Sequence, residues 1–345
     1  MIRVAVDAMG GDHAPSVVIE GAAQAIRERP LSIILVGQEN LLTQEIERLG
    51  ARSGHFIIQN AAEVVGMDES PSEALKKKKN SSIRVTFEMV GQGRADAAVS
   101  AGNSGATLAT ASFVLGRLEG VERPAIAGVL PTLKGPTVMI DAGANVDCKP
   151  HHLLQFGIMG AVFSQGILGV SNPRVGLMSI GEEGAKGNLV VKKAHELFRA
   201  SSLNFIGNME GRDVYRGGVD VIVCDGFVGN VSLKLSEGLA EAISLMLKAE
   251  IEKSFWAKAG YLLCRSAFRR FKKKVDYAEY GGAPLLGING IGIIAHGRSC
   301  PRAIKNAILM AAELVSQKLN EHLLSNLRNS GDLQALGRRR VVSNR

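Results

Sequence analysis

Five β-rich runs in this chain each end at a glycine set beside Asn, Asp or Ser. That recurrence limits the possible fold more than any other feature. The run at 3–7 leads into Asp7-Ala8-Met9-Gly10-Gly11-Asp12-His13, and the run at 97–100 into Ala101-Gly102-Asn103-Ser104-Gly105. Those at 137–141 and 174–180 lead into Asp141-Ala142-Gly143-Ala144-Asn145 and Gly181-Glu182-Glu183-Gly184-Ala185-Lys186-Gly187-Asn188. The run at 219–224 leads into Asp225-Gly226-Phe227-Val228-Gly229-Asn230. Further strand-like runs lie at 32–37, 56–59 and 125–130, and amphipathic helical segments at 17–28, 41–49, 106–115, 153–167 and 189–200. Buried-looking strands alternating with helices require a mainly parallel sheet covered on both faces, a three-layer α/β/α arrangement. Only 125–130 and 137–141, separated by a short Pro/Gly turn, read as an antiparallel hairpin.

The pattern changes after Asn230. A helical run carrying Leu233, Leu235, Leu239, Ile243, Met246, Leu247 and Ile251 extends to about residue 254, followed by an apolar-and-basic stretch at 255–274. A glycine-rich strand-like run at 281–296 and a helix at 302–327 follow. We therefore expect one α/β/α domain over 1–328, a helical hairpin appended at about 231–275, and a disordered basic tail at 329–345. The 345 residues carry a net charge of +8, but the basicity is local. Residues 248–274 hold nine Lys and Arg against two Glu, and 328–345 five Arg against one Asp. A nucleic-acid binder spreads positive charge along a face, so nucleic acid is not an expected partner. Cys148, Cys224, Cys264 and Cys300 are far apart and form no metal or disulfide framework, as suits a cytoplasmic protein. No apolar run is long enough to span a bilayer.

In an open α/β sheet, ligands bind beyond the carboxyl ends of the strands. One such loop alone is turn chemistry, in which Gly supplies positive φ and Asn, Asp or Ser caps the next helix. Five of like composition read instead as one polar rim, whose glycine backbone and helix N-termini suit an anion. The nucleotide P-loop, the dinucleotide G-x-G-x-x-G and the G-x-S-x-G nucleophile elbow are all missing. His151 and His152 read as a helix start, and no metal is expected. Lys186, alone in a glycine-flanked loop, reads as a cation aimed into the site or as the partner of Glu182 or Glu183. The lysine run at 76–79 reads as solvated surface.

These motifs resemble those of the PlsX family, the acyl-carrier-protein:phosphate acyltransferases of bacterial phospholipid synthesis. VAVDAMGGDHAP, SAGNSGA, MIDAGANVDC, IGEEGAKGN, VIVCDGFVGN and the late YGGAPLLGINGIGIIAHG carry the resemblance, in the same order over about residues 2–315. It implies a homodimer related in fold to phosphotransacetylases and isocitrate-dehydrogenase-like proteins. Such an enzyme makes acyl phosphate from acyl carrier protein and inorganic phosphate without a bound cofactor, and supplies a membrane glycerol-3-phosphate acyltransferase. On that basis Lys186 and Asn230 are expected to bind phosphate and stabilise the oxyanion, with Asp225 orienting them and His296 handling protons. Asp7, Gly10, Gly11, Gly102, Asn103, Ser104, Gly105, Asn145, Gly187 and Asn188 complete the expected binding site. Trp256, Leu262, Leu263 and Phe268 among Arg265, Arg269 and Arg270 suit peripheral membrane or carrier-protein contact. Two other readings remain open: a phosphotransacetylase for short acyl-CoA, and a non-catalytic membrane or nucleic-acid adaptor.

Overall fold

The computed structural model describes residues 1–50, 56–275 and 279–329, with the side chains of 272–275 and 329 outside that description. The basic tail therefore lies outside the described residues, as do the lysine side chains at 272–274. In chain order the first elements are β1 (Ile2–Asp7), α1 (Ser16–Glu28), β2 (Leu31–Gly37), α2 (Glu39–Arg48), β3 (Phe56–Asn60), α3 (Pro71–Lys77) and α4 (Ser82–Gly91). Next come β4 (Ala97–Ser100), α5 (Ser104–Leu115), β5 (Ala125–Thr132), β6 (Gly135–Ile140), α6 (Pro150–Leu168), β7 (Val175–Met178), α7 (Leu189–Arg199) and β8 (Phe205–Met209). The chain continues with β9 (Val221–Val223), α8 (Gly226–Glu252), α9 (Phe255–Val275), β10 (Ala283–Leu286), β11 (Gly292–Ile294), α10 (Pro301–Ser316) and α11 (Leu319–Asn329).

All the strands join one sheet in the order β3-β2-β1-β4-β11-β10-β5-β6-β9-β7-β8. Pairing is parallel from β3 to β11 and again from β6 to β8. Between these halves β11/β10, β10/β5 and β5/β6 are antiparallel. Three reversals give the two parallel halves opposite polarity within the sheet. Helices cover both faces, completing the α/β/α layering. Val4 and Val6 of β1 enter the cluster that includes Ile19 of α1 and Ile304 of α10. Ala5, which faces the other way, packs with Val85 and Met89 of α4. That two-sided burial is why the strand is apolar without alternation.

Several boundaries differ from the sequence expectation. β8, α3 and α4 were not anticipated, and the run at 302–327 is two helices divided at Lys318, which has a φ of 49°. The segment at 281–296 is a strand pair, β10 and β11, in place of one strand. Asn230 lies in the second turn of α8 and not in a loop. The Asp225 carboxylate caps that helix four residues earlier than the apolar pattern suggests, accepting the Val228 N–H at 2.8 Å.

Candidate active site

The polar loops form two groups, because the halves of the sheet run oppositely. The first lies at the carboxyl ends of β1, β4 and β11. Asp7 is fully buried there and accepts the Ser100 hydroxyl at 2.7 Å and the Met9 N–H at 3.2 Å. Burial pushes its pKa up, while the Ser100 and Met9 hydrogen bonds pull it back. A side chain on Gly10 would come within 2.5 Å of the Asp7 carboxylate and 2.6 Å of the Gly102 nitrogen. These loops thus approach one another at a distance only glycine permits. Asp7 and Ser100 hold this turn together. The Gly102 N–H in turn donates to Ser100 Oγ at 3.1 Å.

Asn103 caps α5 by accepting the Ala106 N–H at 3.0 Å. Its amide donates to the carbonyls of Met67 at 2.8 Å and Glu69 at 2.9 Å. The side chain expected to meet phosphate is therefore engaged by the framework. What this turn offers a ligand is the exposed start of α5 at Ser104 and Gly105.

The second group lies at the carboxyl ends of β6, β9 and β7, and its centre is Asp141. This fully buried carboxylate accepts five hydrogen bonds: from the N–H groups of Ile126, Gly143, Ala144 and Asn145, and from Asn145 Nδ2. Burial raises its pKa and those donors oppose the rise. Asn145 spends its amide on Asp141 and on the Pro124 carbonyl, both at 2.8 Å, so it too builds the framework. Its own carbonyl accepts the Gly226 N–H at 2.7 Å. A side chain on Gly229 would overlap the Asp141 carbonyl oxygen, so α8 can start against this loop only with glycine there. Asn230 is exposed and flanks Gly143, where an added Cβ would lie 3.4 Å from Asn230 Cβ. The Asp225 carboxylate accepts the Val228 N–H and so positions the helix carrying Asn230.

Lys186 is exposed, and its stem lies across Gly181. Among the described residues it forms no ion pair. Glu182 faces Arg212 instead, at 3.7 Å. The Lys186 loop turns at Gly187, with a φ of 94°, and Asn188 caps α7 by accepting the Val191 N–H at 2.9 Å. Asn208 donates to the Glu183 carbonyl at 2.9 Å and pairs with His195 Nδ1 at 3.0 Å, fixing the loop from behind. Cys148 and Cys224 both lie near Asp141. Burial, with Asp141 and Asp225 adding to it, pushes the Cys148 thiol up to about 12 and that of Cys224 well up as well.

The two groups meet along α8. Lys234 Nζ lies 3.1 Å from Nε2 of His296, which follows β11, and 3.0 Å from Glu237. Burial, and after it Lys234, lowers the His296 pKa. Leu233 of α8 shares an apolar cluster with Ala106, Ala142 and Ala144 from both groups.

Lys234, Asp141 and the Asn208–His195 pair were not singled out in the sequence. Asp141 carried a signal, since Asp-Ala-Gly-Ala-Asn follows a buried strand much as Asp7 does. Another unforeseen grouping is Glu122 with His151 and His152, whose ligand-type atoms lie within 4.8 Å of one another. His152 Nδ1 accepts the Lys149 N–H at 3.1 Å, which puts the neutral ring's proton on Nε2, 3.3 Å from Glu122. That tautomer makes a hydrogen bond to the carboxylate and offers a metal no lone pair.

The hairpin residues fall together on α9. Trp256, Leu262, Leu263, Arg265, Arg269 and Arg270 are exposed, and Phe268 is half-buried. Among the described residues no helix is long and apolar enough to cross a membrane.

The sheet of two parallel halves with opposite polarity has the phosphotransacetylase class of fold. The EutD phosphotransacetylase from Staphylococcus aureus superposes with a TM-score of 0.61, covering 91% of this chain and 94% of its own at 14% identity. A phosphotransacetylase from Streptococcus pyogenes gives 0.63 with the same coverage at 17% identity. Such identities carry the fold alone. The family is set by sequence: residues 2–322 match the model described as fatty acid synthesis protein, and the chain belongs to that family. A phosphate acyltransferase from Syntrophotalea carbinolica is 58% identical, covering 94% of each chain. Another from Pelobacter propionicus is 54% identical over 97% of this chain and all of its own.

Proposed function

We propose that this chain is a phosphate acyltransferase that forms acyl phosphate from acyl carrier protein and inorganic phosphate. The observation that carries this reading is the second loop group, where an exposed Asn230 flanks Gly143 at the start of α8 and an exposed Lys186 lies across Gly181 in the loop after β7. Phosphate is already nucleophilic near neutral pH. One of its oxygens bonds to the thioester carbonyl carbon, the C–S bond breaks, and the thiolate leaves. The protein has to hold phosphate against the carbonyl and stabilise the oxyanion with fixed donors. Lys186 is suited to the phosphate, Asn230 to the oxyanion, and the exposed α5 start to the acyl donor. Lys234 supplies a proton to the departing sulfur, with the neutral His296 ring beside it as the relay. Asp7, Asn103, Asn145 and Asp225 hold the backbone that presents these groups.

Phosphate-dependent release of carrier thiol is the expected activity, with acetyl-CoA a poor donor beside palmitoyl-carrier protein. Cys148→Ser and Cys224→Ser proteins are expected to retain it, because thiols pushed so far up are not thiolates at neutral pH. Mass spectrometry of the enzyme mixed with donor alone should find no acyl adduct. Trapped acyl-cysteine together with an inactive serine variant would overturn direct attack.

Leu235, Leu239, Ile243 and Met246 leave an exposed apolar stripe along α8. Such a stripe suits a second copy of this chain, and the basic face of α9 suits acidic carrier protein or anionic lipid. A homodimer bearing its hairpins side by side would touch the membrane peripherally and deliver acyl phosphate to a glycerol-3-phosphate acyltransferase there. A variant carrying Trp256→Ser, Leu262→Ser and Leu263→Ser is expected to lose co-sedimentation with anionic vesicles while remaining dimeric. Undiminished sedimentation would exclude this face as the lipid contact.

A further inference from the structure

The lysine run at 76–79 belongs to a segment that the activity has not absorbed: Lys76, Lys77 and Lys79 are exposed as expected, and Lys78 alone turns inward. Residues 64–79 form an arm closed at its base. There Glu63 N–H donates to the Asn80 carbonyl at 3.1 Å, and Asn80 N–H donates to the Glu63 carboxylate at 2.8 Å. Inside the arm Lys78 donates to the Val64 carbonyl at 2.6 Å and forms an ion pair with Glu69. Glu69 also accepts the Gly66 N–H at 2.9 Å. From beneath, the buried Asn103 amide holds the carbonyls of Met67 and Glu69. Pro71 fits against Gly105, where an added Cβ would lie 2.8 Å from the proline ring.

So much anchoring leaves one apolar side chain outward. Met67 is 43% exposed although its own carbonyl is held, and its terminal methyl lies where a Cβ on Gly297 would come within 2.7 Å. It therefore stands beside Gly297, the chain neighbour of His296, on the side of the first loop group.

We propose that Met67 is a specificity-determining contact for the acyl donor, and that Lys78 is a positioning residue that fixes the arm carrying it. The inference rests on the acyltransferase reading above, which puts phosphate at the Lys186 loop and leaves the opposite wall to the thioester. A flexible thioether suits that task, since it adapts to a long apolar group and to sulfur.

The test is steady-state kinetics with palmitoyl-carrier protein and phosphate varied separately. Met67→Ala is expected to raise the donor KM about tenfold and to leave the phosphate KM within about twofold. Lys78→Met should reproduce that split, and Lys78→Arg, which keeps a cation for Glu69, should restore wild-type values. Thermal melting of each protein separates a misplaced arm from a misfolded one. An unchanged donor KM in folded Met67→Ala, or an equal rise in both KM values, would overturn the proposal. Wild-type protein that makes no acyl phosphate would instead defeat the acyltransferase reading itself, and the proposal with it.

Discussion

Lys186→Ala is expected to lose roughly ten- to a hundredfold in kcat/KM while melting like the native protein. The side chain is exposed, and it forms no ion pair among the described residues. Its removal should therefore cost the fold little. A charge-assisted contact to phosphate is worth about 1.5–3 kcal/mol, which sets the size of the loss. Phosphate is bound in the ground state as well as in the transition state, so its KM should rise as kcat falls. The donor KM should move little. Stopped assays across a phosphate series, with circular dichroism melts alongside, supply both readouts. Native kinetics in a folded variant would remove Lys186 from the site.

Asp141→Asn should act in the opposite way, damaging the fold first. Its carboxylate accepts hydrogen bonds from β5, from the loop after β6 and from the Asn145 amide. An amide in its place aims its own N–H groups at donors that have no other acceptor at hand. With about 1–3 kcal/mol for each buried donor left unpaired, the cost is on the order of 3 kcal/mol or more. In a chain of this size that lowers Tm by about 4 °C or more. Activity should fall with it, because Asn145 and the start of α8 lose their seat. A melt within a degree or so of the native value would mean that the carboxylate's charge and acceptor pattern are not what hold this loop.

The alternating strands and the glycine-ended loops were readable because burial on both faces and turn chemistry are local properties of residues 3–13, 97–105 or 137–145. The sheet's polarity was not readable from the same residues. It depends on β10 and β11, about 150 residues downstream of β5, inserting between β4 and β5, and long-range pairing leaves no local trace. Asn103 and Asn145 were identified as polar groups in the right turns. Their partners, the carbonyls of Met67, Glu69 and Pro124, are contributed from elsewhere in the chain, so a binding role and a framework role look alike in sequence. Lys78 illustrates the same limit from the other side. Its neighbours in sequence are charged and exposed, and only the fold turns it inward onto Glu69 and Val64.

One helix carries both Asn230 and the far end of the hairpin, and its fulcrum is where Gly229 presses on Asp141. At 1.5 Å per residue, Glu252 stands about 35 Å from that fulcrum and Asn230 about 1.5 Å. A tilt that swings the hairpin tip by about 5 Å then shifts Asn230 by only about 0.2 Å. The geometry is a reducing lever. Docking at the tip, whatever its partner, is mechanically insulated from the chemistry. A hairpin variant that loses its docking partner should therefore keep its turnover number on soluble substrate.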